Sequence, residues 1–216
     1  LVLHAEHGGG NNSAFACRVL SSAGTDIYSS IAAAVGSLKG PKHGGANKKV
    51  IEMFQCIEEG VKDWEDDEEI ISFLQRILRR EAGCGDGLVY GFGHAIYTLS
   101  DPRAVRLRDL AAKLARGTPH EAEFNLFASV ERLIPEAFQR EGRSPADMCV
   151  NVDFYSGFVY KMLGIPDELY TPLFAIARMV GWCAHRIEEV FNQSRIIRPA
   201  YKAIAPDTDF VPLRNR

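Results

Sequence analysis

The sequence predicts an all-α protein, and three observations carry that prediction. Apolar residues recur at helical spacing, as Val50, Met53, Phe54 and Ile57 do at i, i+3, i+4 and i+7. No stretch sustains the apolar–polar alternation of a half-buried strand. Glycine, proline and cap-forming residues punctuate the chain at helix-length intervals. With 216 residues, the chain is long enough to bury a substantial core.

The elements follow in order. Leu1 to His7 is apolar until Gly8-Gly9-Gly10-Asn11-Asn12 breaks it, and Ser13 is placed to cap a helix through about Ser21. Ser22 to Asp26 is a turn, with Thr25 or Asp26 capping an alanine-rich helix from Ile27 to Leu38. Gly40-Pro41 stops that helix, because proline lacks the amide and clashes with the preceding turn. A further helix starts near Asn47, a favoured cap type, and runs to Gly60. His43 therefore sits on a short turn between two helices, where Gly44-Gly45 leave room for a ligand or another backbone.

The acidic run Asp63 to Glu69 leads into Ile70, Ile71, Phe73, Leu74, Ile77 and Leu78. Carboxylates in a first turn suit the helix dipole, so this run reads as a solvated helix start. Gly83 to Gly87 breaks the pattern, and Ala104 to Arg116 and Glu121 to Phe138 are helical by period. A helix opening between Met148 and Asp153 runs on through Leu163. The last long helix, Leu169 to Phe191, places Leu173, Ile176, Ala177, Val180, Ala184 and Ile187 on one stripe. Pro199 and Pro206 mark an irregular tail.

Composition narrows the function classes. The chain is 46% hydrophobic and 25% charged with a net charge of -3, a balance that gives no reason to expect a nucleic-acid partner. No apolar run approaches the roughly 20 residues a membrane helix needs. Five scattered cysteines without CxxC spacing suggest reduced thiols in a cytoplasmic protein, not disulfides or zinc. The opening Leu1-Val2-Leu3-His4, without an initiator Met, reads as the start of an internal segment.

Several motifs fail as chemistry. The glycines from Gly83 to Gly93 lack the Gly-Lys-Ser/Thr of a phosphate loop and the strand–turn–helix setting of a dinucleotide fingerprint. His4 and His7 are three apart, but no third ligand is spaced to complete a metal site. His120 and His185 lie in ordinary helical surroundings and read as structural. A composite set is more informative. His94 follows Gly91-Phe92-Gly93, and Arg103 stands on the turn Asp101-Pro102-Arg103. Asp153 lies amid apolar residues, where desolvation raises a carboxyl toward a useful base. Arg178 interrupts an apolar helix, and a buried arginine calls for an anionic partner. Two histidines, a base and several arginines suggest proton abstraction beside a carbonyl, on a substrate carrying carboxylates.

At these residues the sequence resembles the citrate synthase family. The matching segments are His4 to His7, Ser22 to Tyr28, Gly40 to Asn47, Gly91 to His94, Asp101 to Arg103, Asn151 to Gly157, Ala177 to Trp182 and Arg198-Pro199, in family order. The resemblance implies a nearly all-helical homodimer, with a small helical domain inserted in the C-terminal part of a large helical domain. Residues 1–45 would belong to the large domain, 46–158 to the small one, and 159–216 to the closing helices and tail. A long N-terminal helical segment of the family has no counterpart ahead of His4, so the chain resembles the C-terminal half.

The resemblance also implies roles. Asp153 resembles the base that deprotonates the acetyl-CoA methyl group. His43 resembles the partner of the thioester oxygen, and His94 the residue that polarises the oxaloacetate carbonyl. His7, Arg103 and Arg178 match positions that hold substrate carboxylates, and Arg198 matches an arginine that reaches the partner subunit's site. Leu88, Val89, Tyr90, Gly91, Gly93 and Asn151 resemble the surroundings of coenzyme A, which is a substrate; no separate cofactor or metal is implied. Domain closure would pivot near Ala46 and Gly157. A 2-methylcitrate synthase accepting propionyl-CoA carries the same motifs, since one methylene changes binding by only about 1–3 kcal/mol. The citryl-CoA-cleaving module of ATP-citrate lyases and a non-catalytic dimerisation module are the other readings.

Overall fold

The computed structural model describes residues 1–6, 8–93, 97, 99–144, 149–192, 195–200, 202, 204 and 210–215. Within them the fold is helical: α1 (Asn12–Ser22), α2 (Ile27–Leu38), α3 (Ala46–Gly60), α4 (Asp67–Leu78), α5 (Pro102–Ala115), α6 (Glu121–Arg140), α7 (Val152–Met162) and α8 (Tyr170–Phe191). Short 3-10 turns at Val2–His4, Asp167–Leu169 and Leu213–Asn215 complete the regular structure. Among the described residues there is no strand, only an isolated antiparallel bridge between Phe92 and Val150. No helix of the described residues is long and apolar enough to cross a membrane.

Local chemistry sets most boundaries. Asp26 caps α2 by accepting from the Ser29 amide at 2.9 Å, and Asp66 caps α4 by accepting from Glu68 N at 2.9 Å. Asp101 caps α5, where Pro102 takes the first turn, in which a missing amide costs nothing. Asn151 caps α7 by accepting from Asp153 N at 3.0 Å.

Four expectations shift. Asn11 precedes α1 as its N-cap, and Ser13 lies inside the helix with its hydroxyl bonded to the Asn11 side chain at 2.9 Å. Gly45 precedes α3, and Asn47 is a fully buried residue of its first turn. The acidic start of α4 is only partly solvated: Asp67 pairs with Arg132 and Glu68 with Arg140, tying α4 to α6. The apolar stripe expected along α8 is not its packed face. Ile176, Val180 and Ile187 are exposed in this chain, while Phe174, Ala177, Arg178, Gly181 and Trp182 are buried. The two faces are separated by about one residue's rotation, 100° on a helix of 3.6 residues per turn, which periodicity alone does not resolve when both are largely apolar.

Two cores result. The larger gathers α3 to α7 around Phe54, Phe127, Phe154, Tyr155 and Phe158, with the Phe54 and Phe127 rings stacked 3.4 Å apart. The smaller joins α1, α2 and α8 through Ala14, Cys17, Ala34, Leu38, Phe174 and Trp182. The 3-10 turn at Val2–His4 runs against α8, where Gly181 is required: a Cβ there would lie 2.4 Å from the Ala5 carbonyl, which the Gly181 amide reaches at 3.1 Å. The seam between these cores holds the candidate site.

Candidate active site

The His43 turn is built by the chain ends that flank it. The His43 amide donates to Gly40 O at 2.9 Å, and the Gly44 amide turns back to Leu38 O at 2.7 Å. A Cβ on Gly44 would sit 2.4 Å from that same Leu38 oxygen, so the close approach allowed by Gly44 is to the backbone of α2. From the other side, Thr171 of α8 donates to Gly44 O at 2.9 Å. The imidazole is then fixed by α1: His43 Nε2 lies 2.9 Å from Ser13 Oγ, which also accepts from Trp182 Nε1 at 3.2 Å. Burial, and then the nearby Arg178 charge, push His43 below the usual histidine range, so the ring is neutral near pH 7.

Asp153 enters from the opposite core. It lies in the first turn of α7, whose dipole favours a carboxylate there. Asn151 fastens that helix start to the glycine-rich segment before it: its side chain donates to Gly93 O at 3.1 Å and its amide to Gly91 O at 2.8 Å. Gly91 has φ +77° and passes so close to α7 that a Cβ would meet the Phe154 Cα at 2.9 Å. Asp153 keeps an opening onto the cavity, yet protein surrounds it closely enough that burial dominates. Its carboxyl is pushed up to about 6, with Arg103 and Arg178 pulling the other way.

The arginines are held differently. The buried Asp101 takes Arg103 in a fork, with Nε at 3.0 Å and Nη2 at 2.8 Å, which fixes the guanidinium plane. Arg178 is 1% exposed, and that number matters because its Nη1 has no partner among the described residues. Its Nε donates to His4 O at 2.5 Å and its guanidinium lies 4.9 Å from the Phe174 ring centre. Burial first, and then repulsion from Arg103, draw Arg178 down to about 10. A buried guanidinium with an open N–H is poised to take an anion.

These groups share one cavity of about 270 Å³, lined by His43, Arg103, Asn151, Asp153 and Arg178 with Gly93. Six of the expected residues thus come together from the Gly40–Ala46 turn, the Gly93 segment and helices α5, α7 and α8. Others do not join them. Val89 and Gly91 are buried, Leu88 is exposed, the Tyr90 hydroxyl donates to Asp86 at 2.5 Å, and none of the four lines this cavity. Arg198 is exposed on the non-helical tail, outside the cavity. His7 and His94 lie outside the described residues.

Sequence reasoning missed Asn11, Lys42 and Phe174, which also line the cavity, and Ser13, which holds His43. Phe174 had a signal: it stands four residues before Arg178, on the same face of α8. Its ring meets three site groups, Arg178, the His4 ring at 4.7 Å and the His43 ring edge-on at 5.9 Å. His120 and His185 are paired with carboxylates, His120 with Glu123 and His185 with Glu6 and Glu188, as structural histidines are.

Known proteins match this chain along its whole length. The family model described as "Citrate synthase, C-terminal domain" matches residues 1–200. A citrate synthase of Synechocystis sp. is 40% identical over all of this chain and 50% of its own length. A 2-methylcitrate synthase of Shewanella oneidensis is 35% identical over all of this chain and 52% of its own length. Among solved structures, citrate synthase from Thermotoga maritima aligns with a TM-score of 0.76 at 35% identity, covering 99% of this chain and 54% of that one. The ternary complex of carboxymethyl coenzyme A and oxaloacetate with the Thermoplasma acidophilum citrate synthase gives 0.77 at 33% identity, covering 99% and 53%. The chain spans about half the length of the curated relatives it matches.

Proposed function

This chain belongs to the citrate synthase family, and on that premise we propose that it carries the reaction centre of an acyltransferase that condenses acetyl-CoA with oxaloacetate and water, giving citrate and CoA. One observation carries the reading: a desolvated carboxylate, Asp153, shares a single cavity with two arginines, one of them buried with an open N–H. A base near pKa 6 suits proton abstraction at neutral pH, and two guanidiniums suit a dicarboxylate.

In this reading Asp153 takes a proton from the acetyl methyl group while His43 stabilises the oxygen of the forming enol or enolate. A neutral imidazole serves that role as an N–H donor. Ser13 Oγ, 2.9 Å from His43 Nε2, holds the ring in place for that role. Arg103 and Arg178 hold the oxaloacetate carboxylates. His94, which would polarise the ketone, and His7, which would hold a carboxylate, enter through the sequence match alone. Water then hydrolyses the citryl thioester, and the chemistry asks for no metal or redox cofactor.

The two cores support a division into residues 1–45, 46–158 and 159–216, with closure about Ala46 and Gly157 excluding water from the enolate. Arg198, exposed and away from the cavity, fits an arginine that completes the site of a second copy in a homodimer. Five unpaired cysteines favour the cytoplasm. Leu88 to Gly93, against the start of α7, would meet coenzyme A.

Oxaloacetate-dependent release of CoA thiol tests the reading, using acetyl-CoA and propionyl-CoA with this chain alone and joined to an N-terminal half such as its relatives carry. We expect the joined protein to release thiol from acetyl-CoA faster than from propionyl-CoA. Faster turnover of propionyl-CoA would favour the 2-methylcitrate reading, which relatives of that name at 35% identity support. No release from either, by a folded joined protein, would overturn both.

A further inference from the structure

Four buried side chains carry polar atoms with no partner among the described residues: His4 Nδ1, both polar atoms of the Asn47 amide, Tyr160 Oη and Arg178 Nη1. All are nine-tenths or more buried. Buried polar atoms are otherwise almost always bonded, because stripping water from one without a replacement is costly. Arg178 opens onto the cavity, where an anionic substrate would reach it. The other three do not line that cavity and need a different explanation.

His4 and Tyr160 belong together. Their ring centres are 6.4 Å apart and tilted by 40°, and Phe174 and Tyr170 pack beside them. Tyr160 stands seven residues after Asp153, two turns further along the same face of α7. The Asp153 charge reaches the phenol: burial first and that charge second push Tyr160 up to about 12. His4 is driven to about 3, chiefly by burial, so it stays neutral and offers one ring nitrogen as an acceptor or N–H donor. Asn47 is carried past the same helix by α3, its backbone carbonyl 3.5 Å from where a Gly157 Cβ would be, one turn before Tyr160.

We propose that this face of α7 lines an internal water site, in which bound water bridges His4 Nδ1 and the Tyr160 hydroxyl, with the Asn47 amide at its border. A neutral histidine, a phenol and a primary amide supply both donors and acceptors, the mixed set that water satisfies and an ion does not. The site stands on these three side chains and holds whether or not the protein condenses oxaloacetate. Such water is held by the fold, distinct from the solvent that closure expels.

The sign of a stability change tests this. In the protein that carries this chain, Tyr160→Phe removes one hydroxyl from a buried setting. If water satisfies that hydroxyl, Tyr160→Phe lowers the melting temperature by about 2–4 °C. If the hydroxyl is dry, removing it leaves the melting temperature unchanged or raises it, and the proposal fails. A crystal structure of the unliganded protein supplies the second arm. Ordered water within hydrogen-bond distance of both His4 Nδ1 and Tyr160 Oη supports the site. A direct bond from Tyr160 to another side chain, or an empty apolar gap, overturns it.

Discussion

Asp153→Asn lowers kcat/KM for thiol release by about 100- to 10,000-fold, the range contributed by a positioned base. The fold survives the change, because asparagine matches aspartate in shape and removes a charge that burial disfavours. The parent protein carries a pH signature of the same group. A base acts only when ionised, and the Asp153 pKa is raised to about 6, so with Asp153 as the proposed base kcat/KM is expected to climb as pH rises through 6 and level off above it. Below pH 5 most of the base is protonated and activity is lost. Burial and the Arg178 charge shift His43 downward, the direction that favours its neutral ring. Steady-state kinetics between pH 5 and 8, with oxaloacetate saturating, read the profile. A parent rate that is flat through pH 6 removes Asp153 from the role of base.

Arg178→Met separates binding from folding. Methionine keeps most of the side chain's length and removes the guanidinium, so oxaloacetate binding weakens by roughly 100-fold, or about 3 kcal/mol. Without ligand the effect on stability has the opposite sign. The parent buries a charge with one N–H unpartnered, beside the like charge of Arg103. Replacing it with an apolar group offsets the lost bond to His4 O, so the unliganded melting temperature holds or rises. Calorimetric titration of oxaloacetate, paired with thermal unfolding, reads both. A variant that binds as tightly as the parent would show that the cavity takes its anion elsewhere.

Much of this site was legible because its chemistry is local. Asp101-Pro102-Arg103 reads as an arginine on a turn, and the structure makes it a cap, a first-turn proline and an arginine that lines the cavity. Asp153 behaves as its apolar neighbours require, and Gly40-Pro41 ends α2 where proline chemistry dictates. What stayed hidden depends on contacts distant in sequence. Ser13 looks like a helix cap until the His43 turn, thirty residues on, places an imidazole against its hydroxyl. Asn47 is cap-like in type, yet the preceding glycine turn starts the helix earlier and buries it. On α8 both faces are apolar enough to form a core, and the choice between them is made by the arriving 3-10 turn at Val2–His4, which needs Gly181 bare. Arg178 lies on the face so chosen and lines the cavity.

The central claim is that Asp153 removes a proton from the acyl methyl group, and solvent exchange at that carbon reads the step without the reactions that follow it. The protein that carries this chain is incubated in D2O with acetyl-CoA and malate, a dicarboxylate that can occupy the arginines but has no ketone to attack. The account predicts deuterium entering the acetyl methyl group with the parent protein. It predicts none above background with Asp153→Asn, although both proteins bind malate. Equal exchange in the two proteins would contradict it and move the base to another residue.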